Sequence, residues 1–450
     1  CGADPGEHSA RGRAVMSEFL GVLRWITINI FGEASILIGL IVLLGLVLQK
    51  KSLADIVSGT LKGILGFLII GAGAGIIVSA LLIFQPIWTE VFGLSSMNLT
   101  NIIGQARFSE RYGSSVTIAI AGGFAINLLL ARLTRFKYIY LTGHMMFWTT
   151  MIFAGIMVNT APEIAPWKLI LVLSVFMGIY WTLQPALVQP FLRKIMNSDN
   201  IALGHTSASV AILGAIFGKF LGNKERDSEH IKLPEKLEFL RDSNIVTACT
   251  MGLLFLVGAA ILSTKDTEGA KALIAQAGQT NFYVYSIKQS FMFAGGIAVV
   301  LMGVRMFIGE IVPAFNGIAE KLVQGARPAL DCPVVFPYAP NAVILGFLGA
   351  FIGALFWLVV LGKTAGYVFV PTMIVLFFHA GTAGVFGNST GGIRGAVIAG
   401  FITATIVAIG QYLMVTFLIT HTIPDTAMWA ADSDMFILGV IFKFIAQIIG

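Results

Sequence analysis

Three histidines and one aspartate stand where apolar residues prevail. His144 lies in LTGHMMFWTT (141–150), directly after Thr142 and Gly143. His205 lies in GHTSAS (204–209), between Gly204 and Thr206, and His379 lies in FFHAGTAG (377–384), three residues before Thr382. Asp331 and Tyr338 share LDCPVVFPYAPNA (330–342), whose prolines forbid a regular helix. An ionisable group at the centre of a membrane helix costs about 2.5–3.5 kcal/mol, so such groups are functional candidates by default. Imidazole N–H groups donate to anionic oxygens, and a carboxylate accepts from sugar-like hydroxyls. Together they suit a small polar passenger. Each histidine also has a plainer role, as a neutral ring bonded to a carbonyl of a neighbouring helix. Asp331 has one too, as a solvated loop acid.

Other polar clusters are weaker. GAGAG (71–75), with Gly73, Ala74 and Gly75, has the look of a phosphate loop but lies inside an apolar run with no following lysine. Small residues at that density let helices pack closely or leave room for a ligand. FGNSTGG (386–392) offers backbone N–H groups and Asn388 beside Arg394. It would serve an anionic or phosphorylated group, or simply close a hairpin. Arg305 and Glu310 read as a structural ion pair, and Cys332 as a small core residue. The three cysteines match no metal or disulfide spacing. No hydrolase triad, zinc site, Walker motif or haem pair is present. Any covalent chemistry here needs a reactive group supplied by a partner, and no cofactor is expected.

The elements that must position these residues are membrane helices. Of 450 residues, 57% are hydrophobic and 12% charged, with mean hydropathy +0.87. A water-soluble surface needs about twice that charge. Continuous runs near the ~20 residues that span a bilayer predict helices rather than a barrel. Candidate spans are 28–49, 60–84, 114–131, 138–158, 168–190, 245–263, 283–304, 343–362, 365–379, 396–420 and 434–449. Residues 1–15 precede Met16, look unlike the rest and read as an expression remnant. The first half covers 16–222, a cytoplasmic linker 223–244, and the second half 245–450. The net charge of +6 is spread over short loops and is no nucleic-acid signal.

Lysines and arginines orient the spans. With 222–242 in the cytoplasm, Lys50, Lys51, Lys62, Arg132, Arg135, Lys137, Arg193, Lys194, Lys321, Arg327 and Arg394 also fall inside, whereas Arg24, Arg107, Arg111, Lys168, Lys265, Lys271 and Lys363 fall outside. This places the N-terminus outside and the C-terminus inside. Basic residues on both flanks of 201–218 want the same side, so that stretch should enter the membrane and return. The short stretch 380–395 is a second re-entrant candidate. Irregular backbone at membrane depth survives only where protein or a wet cavity satisfies it. A faint repeat aligns 69–93 on 301–325 and NSDNIALG (197–204) on DSDMFILG (432–439). An odd number of intervening spans makes the copies inverted, the usual build of secondary transporters.

At this point a resemblance emerges. KGILGFLIIGAGAG (62–75), LTGHMMF (141–147), LGH with the following FLGNKE (203–225), GVRMFIGEIVPAFNGI (303–318), LDCPVVFPYAPNAV (330–343) and the GVFGN segment (384–388) occur in an order that resembles the ascorbate-specific permeases. These are enzyme IIC components of bacterial phosphotransferase systems. The resemblance implies an all-α inner-membrane protein of about eleven spans in two inverted repeats with re-entrant hairpins. It implies a homodimer with a scaffold and a mobile core that moves elevator-fashion. It implies a cytoplasmic IIB partner, phosphorylated on cysteine, which phosphorylates the sugar acid as it is released. By match, His144, His205, Asp331 and Gly73 to Gly75 become substrate contacts, with Thr142 and Tyr338 weaker candidates. Trp148 stands where the family pattern has a glutamine, and HTSA (205–208) replaces a histidine followed by glutamines. Lost amides should alter affinity or preference for the ligand. A competing reading is an ion-coupled secondary transporter in which Asp331 and His205 carry protons and nothing is phosphorylated.

Overall fold

A computed structural model describes residues 34–93, 105–230, 242–367, 373–420 and 432–450, together with 21, 25, 236 and 239. Residues 1–15, the start of the span 28–49 and much of the linker 223–244 lie outside these.

The chain is an all-α polytopic membrane protein. Among the described residues, seven helices are long and apolar enough to cross a membrane, and two shorter apolar helices accompany them. In chain order the first helices are α1 (Ala34–Leu48), α2 (Leu53–Val91) and α3 (Gln105–Leu133). Strand β1 (Tyr138–Tyr140) leads into α4 (Gly143–Thr160) and α5 (Pro166–Met196). Strand β2 (Ala202–Leu203) leads into α6 (Ala208–Leu221). Then come α7 (Ser243–Leu262), α8 (Glu268–Ala275) and α9 (Phe282–Lys321). Strand β3 (Arg327–Leu330) and a 3-10 turn (Cys332–Tyr338) precede α10 (Pro340–Thr364), α11 (Met373–Leu413) and α12 (Ser433–Ile449).

Helices α2 and α9 cross through glycines. A Cβ on Gly73 would lie 2.6 Å from Val300 N, and one on Gly303 would lie 2.6 Å from Ile70 N. Backbones approach this closely only where side chains are absent.

Three short strands were not expected: β2 opens the re-entrant stretch 201–218, and β3 lies outside every expected span. The span 138–158 opens as a strand, not a helix. All three pair in parallel in the order β1-β3-β2, with Tyr140 opposite Ala329 and Leu203 opposite Leu330. An open sheet edge is not viable in lipid. Here buried amide side chains close both edges. Asn127 donates to Tyr138 O (3.0 Å) and accepts from Tyr140 N (3.1 Å) on the β1 side. On the β2 side Gln184 donates to Leu203 O and Gln189 to Ile201 O. At the strand roots Arg327 grips Asp199 through Nη2 to Oδ2 (2.6 Å) and Nε to the carbonyl (2.8 Å), and its guanidinium lies over the Tyr138 ring.

The expected segments 365–379, 380–395 and 396–420 are divided differently. Residues 373–391 form one helical arm, and the chain reverses at Gly392 (φ 59°, ψ −152°), a conformation essentially reserved for glycine. The tip is stapled to the preceding loop by Asn223 N to Gly391 O and Ile393 N to Arg226 O, each 2.8 Å. Residues 191–195 and 215–224 border one cavity, so both ends of the β2–α6 segment lie at the same end of the molecule. Helix α12 starts at the depth of that segment's turn, where Ser433 Oγ and Asp434 N both reach Thr206 O. It ends where Lys168 donates to Ile449 O (2.8 Å). The sequence reading put Lys168 outside and the C-terminus inside; the structure puts both on one face, because α12 begins in the interior rather than at a surface.

Candidate functional site

The parallel register sets the site. Each strand runs from the end of the molecule marked by Lys137, Asp199 and Arg327 and stops at a comparable depth. Leu141 N to Ala329 O (2.9 Å) and Gly204 N to Leu330 O (2.8 Å) extend the ladder by one step. A Cβ at Gly204 would lie 2.8 Å from Ala329 O, so the approach requires glycine. The residues just past the three strands are His144, His205 and Asp331. In parallel sheets this carboxyl-end edge is where ligands are commonly held.

His144 Nε2 and His205 Nε2 each lie 3.6 Å from one oxygen of the Asp331 carboxylate. Side-chain exposure is 45% for His144, 4% for His205 and 23% for Asp331, so access grades from an open imidazole to a buried one. Asp331 also accepts Cys332 N at 2.6 Å, which fixes the carboxylate at the start of its turn. All three border a cavity of about 510 Å³. Its remaining walls are mostly apolar and include Phe67, Ala74, Met145, Trp148 and Phe378. His379 and Asp432 complete the polar wall.

His379 is buried and anchored. Its Nε2 lies 2.6 Å from Asp432 Oδ1, its Nδ1 lies 3.0 Å from Ser433 Oγ, and its ring meets that of His205 edge-on at 4.9 Å between centroids. Asp434, the second residue of α12, accepts Ser209 N (2.9 Å) and the Tyr180 hydroxyl (2.8 Å). Helices α4, α6 and α12 therefore all begin around the cavity. Their N-terminal ends carry positive partial charge and favour an anionic guest.

The cluster His144, His205 and Asp331 has the residue types of a metal site, with one ligand atom from each within 4.8 Å of the others. The hydrogen bonding of His205 argues otherwise. Its Nδ1 accepts Ser207 N at 3.1 Å, so the neutral ring carries its proton on Nε2. A ligating imidazole needs its lone pair on the metal side and donates from the other nitrogen. His205 therefore presents an N–H toward the cavity and suits an oxygen-rich ligand.

Other candidates fall elsewhere. Gly73 is spent on α9, and Gly75 does not border the cavity, whereas Gly71 and Ala74 do. Gly143 is the first residue of α4. The Thr142 hydroxyl is buried with no hydrogen-bond partner among the described residues and borders a narrow recess beside His144. Thr206 Oγ1 turns to Met145 Sδ, and Thr382 Oγ1 to Phe378 O. Tyr338 and Asn388 border a separate cavity, where Asn388 binds Asp227 (2.7 Å) and Ser228 N (3.0 Å). Arg394 is exposed beyond the Gly392 tip. Sequence reasoning missed Asp432; its signal was the acidic pair opening an otherwise apolar last helix.

Comparisons with known proteins agree with this architecture. The family model for the PTS system sugar-specific permease component (EIIC-GAT) matches residues 29–449. The ascorbate-specific PTS system EIIC component of Mycoplasma pneumoniae is 26% identical over 419 residues, covering 82% of this chain. The match spans 63% of that relative's own length. With the family match running through nearly every described element, the chain belongs to the sugar-specific permease components of the phosphotransferase system.

Proposed function

We propose that the protein imports L-ascorbate or a closely related sugar acid, and that a separate IIB protein carrying phosphocysteine phosphorylates the passenger on the inner side. The observation that carries the reading is the convergence of His144, His205 and Asp331 on one cavity at 3.6 Å separations. Imidazole N–H groups and helix N-termini meet the anionic ring oxygens, and the carboxylate accepts from hydroxyls. Phosphorylation makes the product unable to return, which drives net uptake. The face bearing Lys137, Lys194, Lys219, Lys224 and Arg327 is the cytoplasmic one, which places the end of α12 on the outer face.

Further parts of the proposal are a homodimer, an inverted repeat and an elevator-type movement. The glycine crossing of α2 and α9 and the meeting of α6 and α12 at their starts support the repeat. Trp148 and Met145 on the cavity wall, with Thr206 Oγ1 turned away, leave the polar contacts on one side. A ligand with one apolar flank fits this better than a uniformly hydroxylated one.

The test is ascorbate binding to purified protein beside related sugar acids and pentitols. His205→Ala is expected to weaken binding by roughly tenfold or more. Unchanged affinity in that variant overturns the site. Uptake into vesicles that requires the phosphorylated partner supports group translocation. Uptake driven by a pH gradient alone, with Asp331 and His205 carrying protons, would replace it.

A further inference from the structure

A second cavity, of about 760 Å³, opens at the other end of α6 and shares no residue with the first. Its walls are the last turns of α5 and α6, the loop 224–230 and the first arm of α11. Two kinds of side chain line it. Phe191, Ile195, Ile216, Phe220 and Val385 make an apolar wall, and Lys194, Lys219 and Lys224 stand around it. The apolar wall continues onto the outer surface of α6, where Phe217, Phe220 and Leu221 are exposed.

The acids here are already engaged. The Glu229 carboxylate accepts Ala342 N (3.1 Å) and Asn341 N (3.4 Å) at the start of α10 and the Ser228 hydroxyl (2.7 Å). Asp227 accepts from Asn388 Nδ2 and Glu229 N and contacts His230. The three lysines have no acidic partner among the described residues. Lys194 and Lys219 in the last turns of their helices also complement the helix dipoles, but Lys224 lies beyond any helix and faces the same space.

We propose that this cavity binds an anionic phospholipid, with the phosphate among Lys194, Lys219 and Lys224 and an acyl chain along Phe191, Ile216 and Phe220. Basic pockets between helices at a membrane surface are suited to such headgroups. A free phosphate or a soluble phosphorylated segment would use the lysines but leave the exposed aromatic wall without a role.

The experiment uses the full chain, purified and delipidated in neutral detergent, with native mass spectrometry and thermal unfolding as readouts. Phosphatidylglycerol is expected to be retained and to raise Tm, and phosphatidylcholine is not. The triple variant Lys194→Gln/Lys219→Gln/Lys224→Gln should retain phosphatidylglycerol at least about tenfold less, with only a small drop in lipid-free Tm from the two lost helix-end charges. Phe220→Ser should weaken retention while keeping all three charges. Equal retention in the triple variant overturns the proposal. So does saturation of the site by inorganic phosphate or a phosphoserine peptide with no preference for phosphatidylglycerol.

Discussion

The α2–α9 crossing and the three-stranded sheet solve one problem in opposite ways. Both are buried inside a membrane protein, where every backbone N–H and C=O needs a partner. At the crossing the helices satisfy their own backbones, and glycines let them touch. Around the sheet the backbone is extended and cannot satisfy itself. Distant amides from α3 and α5 do it instead, and three chain segments end side by side with ionisable groups at their tips. The difference teaches where to look for function in such a chain: at the place where ordinary helical self-sufficiency has been given up.

The sharpest way to break this comparison is Asn127→Leu. It leaves Tyr138 O and Tyr140 N without their side-chain partner, at about 1–3 kcal/mol for each buried group. Thermal unfolding in detergent should show the loss, and affinity for the proposed ligand should fall with it, because β1 leads into the start of α4 where His144 sits. An unchanged Tm would mean that the amide is incidental. Gly303→Ala at the crossing should cost less, about 1–3 kcal/mol from overpacking, and leave ligand affinity per folded molecule intact. A loss of affinity equal to that of the Asn127 variant would erase the distinction between the two regions.

The smallest expected effect is electrostatic and lies outside both. Burial raises the Glu229 carboxyl above its ordinary value, despite the donors from Ser228, Ala342 and Asn341 that favour the ionised form. A carboxylic acid with a raised folded pKa is destabilising when charged. The penalty is full at neutral pH and is relieved as pH falls through the raised value toward about 4.3, the unfolded one. Glu229→Gln should therefore gain Tm on wild type at pH 7, and the gap should shrink as the pH is lowered through that window. A gap that widens on acidification would reverse the assignment. Asp227 behaves differently: burial pushes its carboxyl up, but bonds from Asn388, Glu229 N and His230 outweigh it and hold it below the usual range.

The helices were legible because an apolar run of twenty residues admits few readings. His144, His205 and Asp331 were legible for the same reason, as polar residues in an oily context. The strands were not: Tyr-Ile-Tyr and Ala-Leu inside apolar runs look the same in either conformation, and Arg-Pro-Ala-Leu reads as a loop. Asn127, Gln184 and Gln189 gave no local sign, since their partners lie 11 to 19 residues away across a fold that must already exist. Which glycine of GAGAG meets the cavity depends on the rotation of α2 against α9, and the motif alone does not encode it. The reversal at Gly392 was visible as a Gly-rich turn, but its place, at the end of a nineteen-residue arm spanning 373–391, was not.

The two imidazoles and the carboxylate follow closely on the ends of three paired strands, so the ladder that joins the strands also sets how far apart these groups stand. Under the elevator-type movement proposed above, a guest held by them travels with the sheet. The knot of Arg327, Asp199 and Tyr138 ties the roots of all three strands together, so that the three tips keep their places as one unit.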